Sequence, residues 1–340
     1  MNQSSFSNQY VISRNSNASK GAALVVLLML IILLTVPFWA GRLEQRIIIE
    51  FAYYLALAQM WNLLAGYAGL VSIGQQAFVG IGGYLLFSMA IYLNIPPILA
   101  VVLSGVITAL IAIPTAFTVF RLKGAYFAIG TWVVAEVYRL GFAQVSDLGG
   151  GSGMSLPVKI IKDIASGRSE REMVMYYTAL IISILSITVV YKLLRSKYGL
   201  SLTAIRDSEV ASDSLGVNIF KTKLFVYVLT AGFTGMIGAL IFLQKLRISP
   251  DSAFSLQDWT GAVIFIVVIG GIGTIEGPII GTLIYFLIRG VLADYGSIYM
   301  IVLGVSAVLV MLKAPSGIWG LVSKKYDLHL FPVRRVLLKK

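Results

Sequence analysis

Glu136 and Arg139 are the only charged residues in the stretch AIGTWVVAEVYRLGFA, and they lie three positions apart. Residues spaced i, i+3 on a helix share a face, so a carboxylate and a guanidinium point the same way. Charges within a membrane span are costly and usually meet a cavity or a partner. Two readings follow. The pair could line a path for a zwitterionic solute, with the solute carboxylate at Arg139 and its ammonium at Glu136. Alternatively, the two neutralise each other, or Arg139 extends to the outer interface. Local pairing costs less than burying two separate charges. Glu276, in GGIGTIEGPIIGTL, suits the first turn of a helix or a contact with a soluble partner.

Other chemistry is excluded. The chain has no cysteine, and its one histidine, His329, sits in a basic tail. Thiol chemistry, disulfides and thiolate metal sites are therefore absent, and no Ser/His/Asp set can form. No G-x-x-x-x-G-K-[ST] loop occurs, and GGIGTIEG lacks the Lys-Ser or Lys-Thr that would let it cradle phosphate. The sequence does not read as an enzyme, and it calls for no cofactor or metal of its own.

These residues must be positioned by membrane helices. Of 340 residues, 58% are apolar and 12% charged, against about 25% charged in soluble domains. A helical crossing needs about 20 apolar residues. The chain offers ten such runs, at 21–40, 47–66, 70–92, 98–120, 124–144, 173–194, 224–244, 259–275, 277–293 and 298–313. The expected fold is an all-α polytopic membrane protein of about ten helices. The first run lacks a small-x-small cleavage site and is read as a retained anchor. The expected organisation is a tail over 1–20, a transmembrane domain over 21–320 and a basic tail over 321–340. Loops 145–172 and 195–223 lie on opposite sides. Most Lys and Arg residues fall in segments that are cytoplasmic if both ends are inside, which gives N-in, C-in by the positive-inside rule. The net charge of +12 then reflects topology and anionic lipid, and not nucleic acid. The Gly-rich opening of loop 145–172, SDLGGGSGMSLP, reads as irregular and could meet an external solute-binding protein.

Glycine is the second theme. GYAGLVSIGQQAFVGIGGY places Gly69 and Gly80 beside Ser72, Gln75 and Gln76, and VIGGIGTIEGPIIGTL carries Gly271 and Gly273. Broken helices with polar backbone line cavities in membrane proteins, whereas small residues also simply let helices pack closely. Both readings stand. One glycine-interrupted span in each half points to an internal repeat.

The longest charged amphipathic segment between spans is LRSKYGLSLTAIRDSEVASDSLGVNIFKTK, from Leu194 to Lys223. Such a segment can dock in a groove of a soluble partner or lie on the membrane with Arg206 and Asp207 paired only to each other.

Three passages resemble the permease subunits of bacterial ATP-driven importers for branched-chain amino acids, in particular the M-type subunit of their paired permeases. They are WNLLAGYAGLVSIGQQAFVGIGGYL, RLKGAYFAIGTWVVAEV, and the stretch from Ser196 to Leu240 continued by GGIGTIEGPIIGTLI. Gln75 stands where that family commonly has histidine. Urea permeases share these passages. The resemblance implies location in the bacterial cytoplasmic membrane, two ATP-binding cassette subunits that bind the ATP, a second homologous permease and an extracytoplasmic solute-binding protein. It also implies that 201–216 is the coupling helix. There Leu202, Ile205 and Leu215 would anchor, Ala204 and Ala211 would permit close contact, and Arg206, Asp207, Glu209 and Asp213 would form rim pairs. Gly216 would cap the end. Alternatives are an importer of urea, a short amide or another small solute, a stand-alone secondary transporter coupled to H+ or Na+ with Glu136 as proton carrier, or a membrane scaffold.

Overall fold

The computed structural model describes residues 10–13, 17–165, 167–292, 295, 297–326, 330, 331, 333 and 336–339. Arg14, His329, Arg334, Arg335 and Lys340 lie outside the described residues. The long helices are α1 (Asn17–Trp39), α2 (Arg42–Asn62), α3 (Gln75–Tyr92), α4 (Pro97–Val119) and α5 (Ala125–Ala143). A short α6 (Val158–Ile164) precedes α7 (Arg168–Leu194). Then come α8 (Lys197–Asp207), α9 (Glu209–Ser214), α10 (Ile219–Lys245), α11 (Pro250–Ala253) and α12 (Ala262–Gly270). The chain continues through α13 (Glu276–Leu292), α14 (Ser297–Lys313) and α15 (Gly317–Tyr326).

Six stretches among the described residues are long and apolar enough to cross a membrane: Arg42–Tyr67, Pro97–Val119, Arg168–Leu194, Ile219–Lys245, Pro250–Gly270 and Ile301–Tyr326. Glycine accounts for part of the distance from ten. The expected third span starts as a helix only at Gln75, because 68–74 is irregular. The eighth stops at Gly270, where Gly271 turns the chain at φ 135°. Two π-helical turns, Leu63–Tyr67 and Leu256–Gly261, adjoin α2 and α12.

Helix α10 is the hub and packs on both α3 and α4. It comes close because small residues meet: a Cβ on Gly82 would run into the carbonyl of Gly235, and one on Gly238 into that of Val79. Contact without intervening side chains is how membrane helices gain dispersion energy. Pairs α2–α7 and α12–α13 complete the interior. Outward apolar side chains such as Leu28, Phe38, Leu110 and Leu312 are more than half exposed, which in lipid needs no cover.

Two small ladders qualify the all-α expectation. Strand β1 (Tyr10–Ser13) pairs antiparallel with β4 (Val336–Lys339). Strand β2 (Met154–Ser155) pairs with β3 (Arg247–Ile248) and stitches loop 145–172 to the end of α10. That loop is more ordered than its glycines suggest. It holds two 3-10 turns, at Ser146–Leu148 and Gly150–Ser152, and VKIIKDI forms α6.

Candidate functional site

The segment expected to form one helix over 201–216 is two helices. Ser196 caps α8, its Oγ accepting the Tyr198 N–H at 3.2 Å. Ser208 is extended and caps α9, its Oγ accepting from Ala211 at 3.3 Å. A serine at this position offers the backbone a competing partner and starts a new helix. Gly216 ends α9 at φ 80°. The Val217 N–H reaches the Ser212 carbonyl and the Gly216 N–H the Asp213 carbonyl, the Schellman pattern.

Burial sorts the side chains of this hairpin. Leu202 and Ile205 are buried against the protein's own helices, while Leu200, Val210 and Leu215 are 77%, 80% and 80% exposed. Ala204 is half-buried and Ala211 exposed. Glu209 pairs with Lys223 on α10. Arg206 donates from Nε and Nη2 to the Asp207 carboxylate at 3.3 and 3.2 Å. Its Nη1 also donates to the backbone carbonyl of Gly66 at 3.2 Å.

That last bond joins the hairpin to a second feature. Asn62, at the end of α2, accepts the Gly273 N–H at 2.8 Å and donates to the Thr274 carbonyl at 2.7 Å. Gln59, one turn earlier, donates to the Ile275 carbonyl at 2.8 Å. The turn between α12 and α13 is thus held by two buried amides. Gly273 sits at φ 77°, and a Cβ on Gly66 would lie 2.6 Å from the Gly273 nitrogen. Gly66 has no room for a side chain, and the left-handed backbone at Gly273 favours glycine. Glu276 opens α13, is buried, and accepts the Phe331 N–H at 2.9 Å.

The residues singled out as a path fall into three groups. Gly69 lies beside Arg206, near the Gly273 turn. Ser72, Gln75 and Gln76 are buried mid-bundle. Gln75 donates to the Leu57 carbonyl and Thr234, and Gln76 is locked to Thr260 through both its backbone and side chain. The Gln75 Oε1 atom is buried without a hydrogen-bond partner. It borders a cavity of about 10 Å³ shared with Trp61, Ser72 and Thr234, room for one water at most. Gly80 packs on the Phe254 ring. At the opposite end, Arg139 grips Glu136 through Nε and Nη2 at 2.6 to 3.0 Å and reaches Asp251 at 2.7 Å. Glu136 and Arg139 therefore meet each other, and Arg139 also meets α11.

Sequence reasoning missed Gln59 and Asn62, although two amides three positions apart in apolar LAQMWNLLAG were a usable signal. It also missed a cavity of about 380 Å³ bounded by α12, α13 and α14, with Tyr54, Asp258 and Arg289 on its wall. Arg289 is paired with Glu50 at 2.8 Å. The isolated charges at 50 and 289 marked the place. Among the described residues no group of three His, Cys, Asp or Glu side chains could hold a metal ion.

The comparisons with known proteins agree on one kind of relative. A family described as "Branched-chain amino acid transport system / permease component" matches residues 45–312. The high-affinity branched-chain amino acid transport system permease protein LivM of Salmonella typhimurium is 28% identical over 317 residues, covering 87% of this chain and 74% of that protein. Its Escherichia coli counterpart is 27% identical over the same coverage. A probable LivM permease of Methanocaldococcus jannaschii is 25% identical over 291 residues, 74% of this chain and 82% of the other. No solved structure matches.

Proposed function

Because the chain belongs to the family of branched-chain amino acid transport permease components, we propose that it is one permease subunit of an ATP-driven, binding-protein-dependent importer. The solutes would be branched-chain or other small amino acids, moved across the bacterial cytoplasmic membrane. ATP would be bound by two cassette ATPase subunits, the second permease would be a homologue, and solute would arrive on an external binding protein. Counting α1, α3, α5 and α13 as crossings gives the ten-span, N-in, C-in arrangement. The pairing of β1 with β4 sets the two terminal strands side by side, which fits an even number of crossings.

One observation carries this reading: the α8–α9 hairpin faces two ways. Outward it presents Leu200, Val210 and Leu215, apolar anchors of the kind a partner groove takes. Inward it grips the broken end of α2 through Arg206 and Gly66. Movement of a docked ATPase would be transmitted through Arg206 to the π-helical turn at 63–67. From there Asn62 carries it to the turn between α12 and α13. Those contacts form a rigid unit that can rock as a body.

The test is co-purification of the ATPase subunits with the full chain. Val210→Asp/Leu215→Asp places charges at exposed positions and leaves the internal contacts intact, unlike a charge swap at Arg206 or Glu209. Loss of the ATPase at unchanged membrane level of the chain is the expected result. Retention at the wild-type level sinks the docking claim.

A further inference from the structure

The cavity between α12, α13 and α14 has the chemistry of an amino-acid site. Its volume of about 380 Å³ is at the small end of ligand pockets, which run from about 300 to 1,000 Å³. Its wall divides into two parts. Asp258, Arg289 and the Tyr54 side chain lie toward one end, where α13 finishes and the π-helical turn at 256–261 begins. Ile264, Phe265, Val268, Leu303, Ala307 and Met311 supply the apolar remainder.

The polar end has both signs of charge. Arg289 donates to Glu50 through Nη1 at 2.8 Å, which engages one of a guanidinium's five N–H donors. The Asp258 carboxylate makes no salt bridge among the described residues. Its backbone is fixed nonetheless: the N–H is capped by Ser255 at 3.2 Å and the carbonyl accepts from Tyr54 at 3.2 Å. A carboxylate on a fixed backbone, and a guanidinium with spare donors, lie on the wall of one apolar cavity.

We infer that this cavity is a binding site for a zwitterionic aliphatic amino acid. Arg289 takes the carboxylate, Asp258 takes the ammonium, and the side chain lies against Val268, Leu303 and Ala307. The site deepens the importer reading and rests on it for the identity of the solute. It replaces Glu136 and Arg139 as the charged pair that meets substrate, since those two are satisfied by each other and by Asp251. An acyl chain would fill the apolar part equally well, but it has no use for the paired charges. For a solute that must shed water, fixed opposite charges offset the desolvation.

The absence of native cysteine makes the test clean. Ala307→Cys places a single thiol on the cavity wall of the full chain in its transporter complex. Its modification rate by a methanethiosulfonate reagent is measured alone, with L-leucine, and with leucinamide, which lacks the carboxylate. Leu93→Cys, at the exposed turn between α3 and α4, serves as the control thiol. Leucine should slow modification of the cavity thiol by about tenfold near saturation, the change equivalent to about 1.4 kcal/mol. It should leave the control unchanged, and leucinamide should protect poorly. Adding Arg289→Gln should remove the difference between leucine and leucinamide, while Arg289→Lys should restore part of it. A modification rate at the cavity thiol that leucine does not change, or equal protection by leucinamide, overturns the site and leaves the cavity to lipid. Failure of the importer reading would show separately, as wild-type complex that takes up no amino acid with ATP.

Discussion

The α3–α10 seam and the α12–α14 edge are built on opposite principles. Along the seam, Gly82 meets Gly235 and Gly238 meets Val79 with no room for a methyl group, and the nearby cavity beside Gln75 holds about 10 Å³. At the edge the helices stand apart around about 380 Å³, with Asp258 and Arg289 on the wall. Both regions are rich in features that suggest a passage, yet only the second has space. Glycine density marks where backbones touch; charge beside apolar wall marks where something else fits.

The contrast can be broken by substitution, and the largest effect belongs to the seam. Gly82→Leu forces a side chain into the Gly235 backbone and should cost about 3 kcal/mol or more, seen as loss of monodisperse protein in detergent. Asn62→Ala is next. It removes the partners of the half-buried Gly273 N–H and Thr274 carbonyl, each bond worth about 1 kcal/mol, and should lower the thermal midpoint clearly. Asn62→Asp keeps the acceptor and should recover part of the loss. Ala307→Phe at the edge fills existing space and should shift the midpoint little, within about 1 kcal/mol, while weakening leucine binding at the cavity. The smallest effect is expected for Glu136→Gln. Its side chain is 45% exposed, the glutamine amide oxygen still accepts from Arg139, and Arg139 keeps Asp251 as its charged partner. A large loss of stability there would place the pair in the interior and blur the contrast.

The class of fold and much of the hairpin were legible in the sequence, because apolar run length and glycine punctuation are local properties. The break at Ser208 was legible in principle, since serine followed by a short amphipathic run is a cap signal. Which face of the hairpin turns inward was not, because Leu202 and Leu215 look alike until α7 and α10 are in place. The same holds for the glycines. Gly82 and Gly273 are one residue type, yet one serves a helix crossing and the other a turn at φ 77°, and only the partner backbone distinguishes them. The cavity was marked only by the isolated charges at 50 and 289, and its full wall was hidden for a related reason. Tyr54, Asp258 and Arg289 come from three distant segments, and no spacing rule brings them together.

The most direct measurement is uptake of radiolabelled leucine into proteoliposomes that hold this chain with its second permease and ATPase subunits, with binding protein supplied outside the vesicles and ATP inside. An importer subunit coupled through the α8–α9 hairpin predicts uptake that needs ATP and all subunits, and that Val210→Asp/Leu215→Asp abolishes. Uptake by this chain alone, driven by a proton gradient and indifferent to ATP, would contradict it.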